Sequence, residues 1–402
     1  MLKNNPYFVY ITAGLFSSIA SAMYTIFISW ILYEISEDAF YSGFMVGIGF
    51  IPGILLNLFL GIFVDRYNRW KLVMLPLMGQ TIVFSCILYF VITNNLSVTI
   101  IMGAHVIIQL MGSLIKPAIQ AIISQIFEKE DYSKVIGTST SLGELGWILG
   151  VSLTGVLLNT ISDGSVVLIM VILNCISVIS MYFLKFSYTP LISEENDKES
   201  VISDLKKGYK YLITNKIIIG LIGIGFVGQL ILHSNLGLLP VYTKSVLFES
   251  SKVYGLLEIA LSIGAIIAGF FASKLLSKFK LYVNSASIII LMISIIFIIA
   301  EPSVKYAFVG ILLMGFGVTL LRVSTQSFQQ MITDPRYLGR MASYRMTINQ
   351  VSVAVGSPML GFISKYYGTN FAYASFLIPL ICSLILSVVF VNKVNSSVKE
   401  MI

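Results

Sequence analysis

Apolar stretches long enough to cross a lipid bilayer recur along this chain of 402 residues. A helix needs about 20 apolar residues to span the hydrocarbon core, and helices are favoured there because lipid cannot satisfy free backbone groups. The sequence therefore predicts an all-α polytopic membrane protein with twelve transmembrane helices. The predicted spans are residues 7–33, 42–64, 72–92, 98–125, 136–158, 164–184, 215–240, 252–274, 282–300, 304–332, 342–364 and 370–391.

The few charged residues are distributed unequally between the two sides of the predicted membrane. Only 11% of the residues are charged, although the formal net charge is +7. With loops assigned alternately to the two sides, the 26 Lys and Arg fall on the side of both termini with a few exceptions. The exceptions are Lys244, Lys252, Lys305 and Lys365 on the other side, and Lys116 and Arg322 within spans. The positive-inside rule then places both termini in the cytoplasm. This asymmetry accounts for the basic balance, so no nucleic-acid partner is expected.

The three cysteines give no sign of a metal or redox site. Cys86, Cys175 and Cys382 all lie inside predicted spans and have no ligand-like spacing. We interpret them as packing residues, and we predict neither a metal nor a cofactor.

The longest polar break in the chain covers residues 185–214 and separates the spans into two groups of six. It contains the charge run SEENDKES (193–200) and then VISDLKKGYKYLIT (201–214). The second segment places apolar side chains on one helical face, namely Val201, Leu205, Tyr209 and Leu212. It therefore predicts a short amphipathic helix on the anionic cytoplasmic membrane surface. A plain spacer between two bundles is a compatible alternative.

The two groups of spans look like copies of each other. Shifting residues 112–155 forward by 206 positions aligns charged, amide and glycine positions. The aligned pairs include Lys116 with Arg322, Gln120 with Gln326, Glu128 with Asp334, Lys134 with Arg340, Gly150 with Gly356, and Gly155 with Gly361. Two six-helix pseudo-symmetric halves with a site between them near the midplane are typical of transporters. The expected domains are an N-terminal bundle (1–184), a cytoplasmic linker (185–214) and a C-terminal bundle (215–402).

The loop after the second span, GIFVDRYNRWK (61–71), carries a recognisable motif. It resembles the G-x-x-x-D-R-x-x-R-[KR] signature of the major facilitator superfamily. The matching residues are Gly61, Asp65, Arg66, Arg69 and Lys71. Asn68 stands where the family usually has glycine. With twelve spans and the half-repeat, the resemblance implies the major facilitator fold.

The resemblance also implies a conformational latch on the cytoplasmic side. In the family, the glycine permits close helix approach and the aspartate faces the positive N-terminal end of the eleventh span, which here begins near Ser343. The arginines hold carboxylates at the cytoplasmic end of the fourth span, where Glu128 and Asp131 are available. These contacts close the cytoplasmic side in the outward-facing state. The counterpart GFFASKLLSKFK (269–280) has Ser273 in place of the acid.

The fifth span contains GWILGVSLTG (146–155), which resembles the antiporter motif of this superfamily. It keeps three glycines of the motif, Gly146, Gly150 and Gly155. Val151 replaces the proline and Thr154 one further glycine. The resemblance implies a helix bend, and a close helix crossing is the alternative interpretation.

Two other segments resemble the macrolide-efflux and siderophore-exporter branch of the superfamily. They are DPRYLGRMASYR (334–345) before the eleventh span and DLKKGYKYLITNK (204–216) in the central linker. The resemblance therefore points towards export. The basic residue expected in the outer part of the fourth helix is absent, and His105 and Gln109 lie there instead, one turn apart.

Ionisable residues inside spans are candidates for function because each costs ~2.5–3.5 kcal/mol at the bilayer centre. They are His105, Lys116, Glu144, His233, Glu258 and Arg322. All lie outside spans three, six, nine and twelve, which are peripheral in this superfamily. Lys116 and Glu144 have similar depths, so they are able to pair, as are His233 and Glu258. For Lys116 and Glu144, the alternative to a functional role is a purely structural ion pair. For the two histidines, the alternative is a hydrogen-bonded packing role.

These residues suggest two sites. The candidates for proton coupling are Glu144, Glu258, His105 and His233. The candidates for substrate binding are Lys116, Arg322, Gln109 and Gln326. Because Lys116 and Arg322 occupy equivalent places in the half-repeat, an anionic substrate would relieve their mutual repulsion. The alternative to this anionic site is that Glu144 neutralises Lys116.

The sequence thus predicts a monomeric exporter that lies among the lipids of a bacterial plasma membrane. It would move a small amphipathic molecule out of the cell in exchange for protons that enter. An uptake carrier or lipid flippase of the same fold is the nearest alternative. A polytopic membrane enzyme would need a clustered His, Asp or Cys site, and two isolated histidines argue against it. A channel would need a pore-lining ring or filter, and none is found in the sequence.

Overall fold

The computed structural model describes residues 6–57, 68–127, 132–184, 201–334 and 337–399. These residues form fourteen helices and no strand. The helices are α1 (Pro6–Ser36), α2 (Ala39–Asn57), α3 (Arg69–Ile92), α4 (Val98–Ile126), α5 (Tyr132–Leu157), α6 (Asp163–Phe183), α7 (Val201–Thr214), α8 (Lys216–Ser245), α9 (Ser251–Phe279), α10 (Tyr282–Ala300), α11 (Val304–Ile332), α12 (Leu338–Tyr367), α13 (Thr369–Ser375) and α14 (Leu377–Lys399).

Within the described residues, twelve helical stretches are long and apolar enough to cross a membrane, which confirms the predicted all-α polytopic fold. The helices α1–α6 and α8–α12 each supply one span. The short α13 and the following α14 together supply the twelfth, Thr369–Val389.

The seventh span is longer than the sequence predicts. The expected end at residue 240 coincides with Pro240, but α8 continues through this proline to Ser245. The residues around Pro240 are buried, and the hydroxyl of Tyr242 donates to the carbonyl oxygen of Ile298 on α10 at 2.7 Å. Tertiary packing therefore holds the last turns of the helix, although proline removes one backbone donor.

The first of two compact units contains Met1–Tyr41, Ile48–Ser193 and Glu249–Gly255. Its most buried helix is α1, which packs against α5 and α6, while α3 packs against α4 and α6. A buried hydrogen bond between side chain and backbone also joins two helices of this unit. Ser177 donates to the carbonyl oxygen of Ala13 at 2.8 Å, so α6 is joined to α1 by polar as well as apolar contacts.

The second compact unit contains Ser42–Gly47, Glu194–Phe248 and Leu256–Ile402. Here α8 is the central helix and packs against α11, α12 and α14, while α10 packs against α11. Ser234 on α8 and Ser357 on α12 share a buried hydrogen bond of 2.6 Å. The predicted bundle boundaries at residues 184 and 215 stay a prediction.

The predicted linker helix is present as α7, and its placement on the membrane surface stays a prediction. Leu212 is buried, as predicted, whereas Tyr209 is 57% exposed. Gly208 faces Arg340 and Tyr344 of α12. The helix thereby packs on the N-terminal parts of α8 and α12. The charge run at residues 193–200 lies outside the described residues.

An aromatic stack fixes α7 in this position. The ring of Tyr211 lies parallel to that of Tyr337, with 4.2 Å between the ring centroids. The backbone N–H of Asp334 donates to the Tyr211 hydroxyl at 3.1 Å. The linker helix is therefore joined to the segment before α12, which is one of the two segments that resemble exporters.

Candidate functional site

Much of the predicted latch lies outside the described residues. This applies to Gly61, Asp65, Arg66, Glu128 and Asp131. The side chain of Arg69 is not described either, and that of Lys71 is exposed. The role of this loop therefore stays a prediction.

Asn68, where the family usually has glycine, caps the N-terminus of α3. Its side-chain oxygen accepts hydrogen bonds from the backbone N–H groups of Trp70 at 3.0 Å and Lys71 at 3.4 Å. Asparagine is among the preferred N-cap residues because it satisfies such free donors. The departure from the motif thus has a local structural explanation.

The two intramembrane glutamates have opposite environments. Glu144 on α5 is exposed, whereas Glu258 on α9 is only 3% exposed. The predicted pairing of Glu144 with Lys116 stays a prediction, since the Lys116 side chain is not described.

His105 is packed among three helices of the first unit. The hydroxyl of Tyr24 on α1 lies 3.1 Å from Nδ1 of His105, and the two rings are stacked. A Cβ added to Gly49 on α2 would lie 2.5 Å from Nε2 of His105 and 3.2 Å from Nε2 of Gln109. A larger residue at position 49 would displace the imidazole, and these contacts favour the packing interpretation of His105.

His233 on α8 is half-buried and lies next to a polar neighbour on its own helix. Its Nε2 lies 3.2 Å from Oε1 of Gln229, one turn earlier. The predicted pairing of His233 with Glu258 stays a prediction.

Arg322 and Gln326 form a polar stripe on α11. Both are exposed and lie one turn apart, while the neighbouring Leu321, Ser324 and Thr325 are buried. An arginine facing lipid in the middle of a span is costly. The stripe is therefore best satisfied by water or by a polar ligand.

The glycines of the antiporter-like motif lie at close helix contacts. A Cβ on Gly146 would meet the carbonyl oxygen of Leu15 at 3.0 Å, and one on Gly150 that of Ile19 at 2.5 Å. Both oxygens belong to α1. Such contacts are what the alternative interpretation, a close helix crossing, requires.

The third glycine of the motif faces a different helix. Gly155 lies against the backbone of Gly255 on α9. The helix α5 is continuous from Tyr132 to Leu157, so the bend that the motif implies stays a prediction.

Sequence reasoning missed a buried polar pair that joins α8 to α13. Asn235 on α8 and Tyr373 on α13 are both fully buried, and the Tyr373 hydroxyl donates to Oδ1 of Asn235 at 2.8 Å. Asparagine is uncharged, so the pattern of ionisable residues does not include it, although an asparagine inside an apolar span is itself a usable signal.

A comparison with protein families agrees with this architecture. The family model of the Major Facilitator Superfamily matches residues 10–327 and 248–400. The chain belongs to the major facilitator superfamily. This confirms the resemblance seen in the sequence and identifies a multi-pass membrane transporter rather than an enzyme.

Two bacterial relatives match along most of the transporter. The staphyloferrin A transporter of Staphylococcus aureus is 21% identical over 367 residues, which are 88% of each chain. Macrolide efflux protein A of Streptococcus pyogenes is 22% identical over 368 residues, again 88% of each chain. The branch suggested by the sequence is thus represented among the relatives, at low identity.

A solved structure shares the fold. The crystal structure of the nucleoside transporter NupG superposes with a TM-score of 0.75 and covers 96% of this chain and 98% of its own, at 15% identity. At this identity the likeness shows the fold alone.

Proposed function

We propose that this transporter exports a small amphipathic molecule with an anionic group, in exchange for protons and by alternating access. The observation that carries the proposal is the exposed stripe of Arg322 and Gln326 within an apolar span. Two relatives are named for macrolide efflux and for staphyloferrin A transport, and this supports export. We place the protein as a monomer in a bacterial plasma membrane, with both termini cytoplasmic.

The chemistry of the stripe favours an anion. A guanidinium group stays charged in proteins and binds carboxylate or phosphate through two parallel hydrogen bonds. Gln326, one turn away, adds an amide donor and acceptor. If Lys116 is not neutralised by Glu144, the half-repeat adds a second cation at an equivalent position of α4.

Cellular accumulation tests the direction and the energy source. Cells that express the transporter should accumulate less of a transported carboxylate-bearing compound than cells without it. An uncoupler should abolish the difference, because it removes the proton gradient. Greater accumulation in expressing cells would indicate an uptake carrier, and a difference that survives the uncoupler would remove proton coupling.

Replacing Arg322 by glutamine should weaken binding of an anionic substrate by about ten- to hundredfold. Hydrogen bonds to a charged group contribute ~1.5–3 kcal/mol, and 1.4 kcal/mol is a factor of ten. Binding of a neutral analogue should change much less. The measurement is the dissociation constant of each compound for the purified protein.

Lys305→Gln is the matched control for Arg322→Gln. Lys305 is an exposed cation near the start of the same helix, so its replacement removes the same charge away from the stripe. Equal losses for the anionic and the neutral compound in Arg322→Gln would contradict the proposed role of the guanidinium.

A further inference from the structure

A second arginine lies at the end of the polar stripe on α11. Gln329 follows Arg322 by seven residues and Gln326 by three, so it lies on the side of the helix that carries the stripe. The amide group of Gln329 is joined to α12 at both ends. Its Oε1 accepts a hydrogen bond from the guanidinium of Arg345 at 3.2 Å, and its Nε2 donates to the carbonyl oxygen of Met341 at 3.0 Å. Arg345 is thereby fixed next to the stripe.

The charge of Arg345 is not balanced by its surroundings. The residue is half-buried, and Gln329 is a neutral partner that uses one of the five N–H donors of the guanidinium. Among the residues that the structure describes, no carboxylate forms an ion pair with Arg345. A guanidinium group stays charged in proteins, and charges removed from water are normally paired. The donors that remain therefore indicate a place for an anion.

The side of α12 that carries Arg345 stays polar further along the helix. Asn349 and Ser352 follow at helical spacing, and Ser352 donates its hydroxyl to the carbonyl oxygen of Asn349 at 2.7 Å. Oδ1 of Asn349 is buried and has no hydrogen-bonding partner, whereas most buried polar atoms in proteins have one. Polar groups with unused hydrogen-bonding capacity thus extend from Arg345 along α12.

The spacing of the two arginines sets the kind of anion that fits both. Arg322 and Gln329 are separated by about 10 Å along α11, at 1.5 Å per residue. Arg345 contacts Gln329, so the two guanidinium groups lie at opposite ends of this part of the helix. A single carboxylate binds next to one of them. A molecule with two anionic groups places one at each end, with Gln326 between them.

We infer that Arg345 is a second anion-binding residue and that the substrate carries two anionic groups, one for Arg322 and one for Arg345. The class is a dicarboxylate, or a molecule that bears a carboxylate and a phosphate, with an apolar spacer. This rests on the proposed function in assuming that Arg322 binds an anionic group of the substrate. It does not depend on the direction or the energy source of transport.

Calorimetric binding of two matched probes to the purified full-length protein in phosphatidylcholine nanodiscs tests the inference. The probes are azelate, a flexible dicarboxylate with an apolar chain, and monomethyl azelate, which has one charge fewer. The wild type should bind azelate about ten- to hundredfold more tightly than the ester, the range expected for hydrogen bonds to a charged group. An ester that binds as tightly as azelate, or no saturable binding of azelate, would overturn the inference.

Arg345→Gln should remove the preference for the dicarboxylate. Its affinity for azelate should fall about ten- to hundredfold. Its affinity for the ester should change by about twofold at most, because one guanidinium still binds the single carboxylate. Lys365→Gln is the control, since Lys365 is a cation in the last turn of the same helix, and both affinities should stay at their wild-type values. Equal losses for azelate and the ester in Arg345→Gln would indicate a structural role and refute the assignment.

Arg345→Lys keeps the inference testable if Arg345→Gln does not fold. Lysine retains the charge but lacks the planar fork of the guanidinium, so the preference for azelate should lie between those of the wild type and Arg345→Gln. Complete loss of the preference in Arg345→Lys would contradict a role for the charge.

Two further outcomes separate the inference from its rivals. Azelate binding that depends on Arg322 but not on Arg345 would overturn the inference and leave the proposed function intact, whereas dependence on neither would contradict both. Phosphatidylglycerol in the nanodiscs supplies a lipid phosphate as a competitor. If this lipid abolishes the preference for azelate in the wild type, Arg345 binds lipid headgroups and the inference is wrong.

Discussion

Replacing Gly264 by alanine is expected to lower the stability of the transporter by ~1–3 kcal/mol, the usual cost of overpacking a well-filled interior. Gly264 on α9 lies directly against the carbonyl oxygen of Leu312 on α11, and its added Cβ would also meet the nitrogen of Phe316 at 2.9 Å. These are backbone atoms, so no side-chain rotation relieves the clash. The two helices would have to move apart.

The contact is reciprocal, which makes relief harder. Gly315 of α11 lies against the carbonyl oxygen of Leu261 on α9. A shift that accommodates a methyl group at position 264 therefore also disturbs the second glycine contact. Close approach through small residues is a main source of helix association in membranes. The measurement is the thermal unfolding temperature of the purified protein in detergent.

Gly269→Ala is the matched control on the same helix. A Cβ at Gly269 would have no heavy atom within 4 Å, and alanine is favoured over glycine inside a helix by ~0.5–1 kcal/mol. The control should unfold at the wild-type temperature or slightly above it. A Gly264→Ala protein as stable as this control would contradict the close contact.

The spans could be predicted from the sequence because the membrane imposes a strict rule. A stretch of about 20 apolar residues has few alternatives to a transmembrane helix. The rule failed locally where tertiary packing mattered, as at Pro240, through which α8 continues to Ser245. It also could not give the packing of α7 on α12, where Gly208 faces Arg340 and Tyr344.

The candidate sites were predictable only in part. Charged residues inside spans stand out, so Glu258 and Arg322 were found. The exposure of these side chains could not be predicted, because it depends on contacts between residues that are distant in sequence. The hydrogen bond from Tyr373 to Asn235, for example, joins positions 138 residues apart. A single sequence without paired charges gives no sign of such a partner.

Replacing Asp65 by asparagine is expected to leave membrane insertion intact and to remove most transport. The residue lies outside the apolar spans, so insertion does not depend on its charge. By the family resemblance, its carboxylate is stabilised by the positive N-terminal end of the eleventh span, an effect of ~0.3–1 kcal/mol that rises to ~2 kcal/mol in partly buried geometries. At the upper value the outward-facing state would lose more than tenfold in population.

The measurement is efflux per unit of transporter in cells, with the membrane content determined separately for each variant. Asp163→Asn provides the matched control, since Asp163 lies in the first turn of α6 in the same unit. Asp163→Asn removes the same charge as Asp65→Asn, also at a helix N-terminus, but outside the proposed latch. The nearby Glu34 repels the Asp163 carboxylate, so loss of this charge removes a repulsion. Efflux by Asp163→Asn should therefore stay close to that of the wild type. Normal efflux by a well-inserted Asp65→Asn protein, or equal losses in both variants, would show that this carboxylate does not hold the latch.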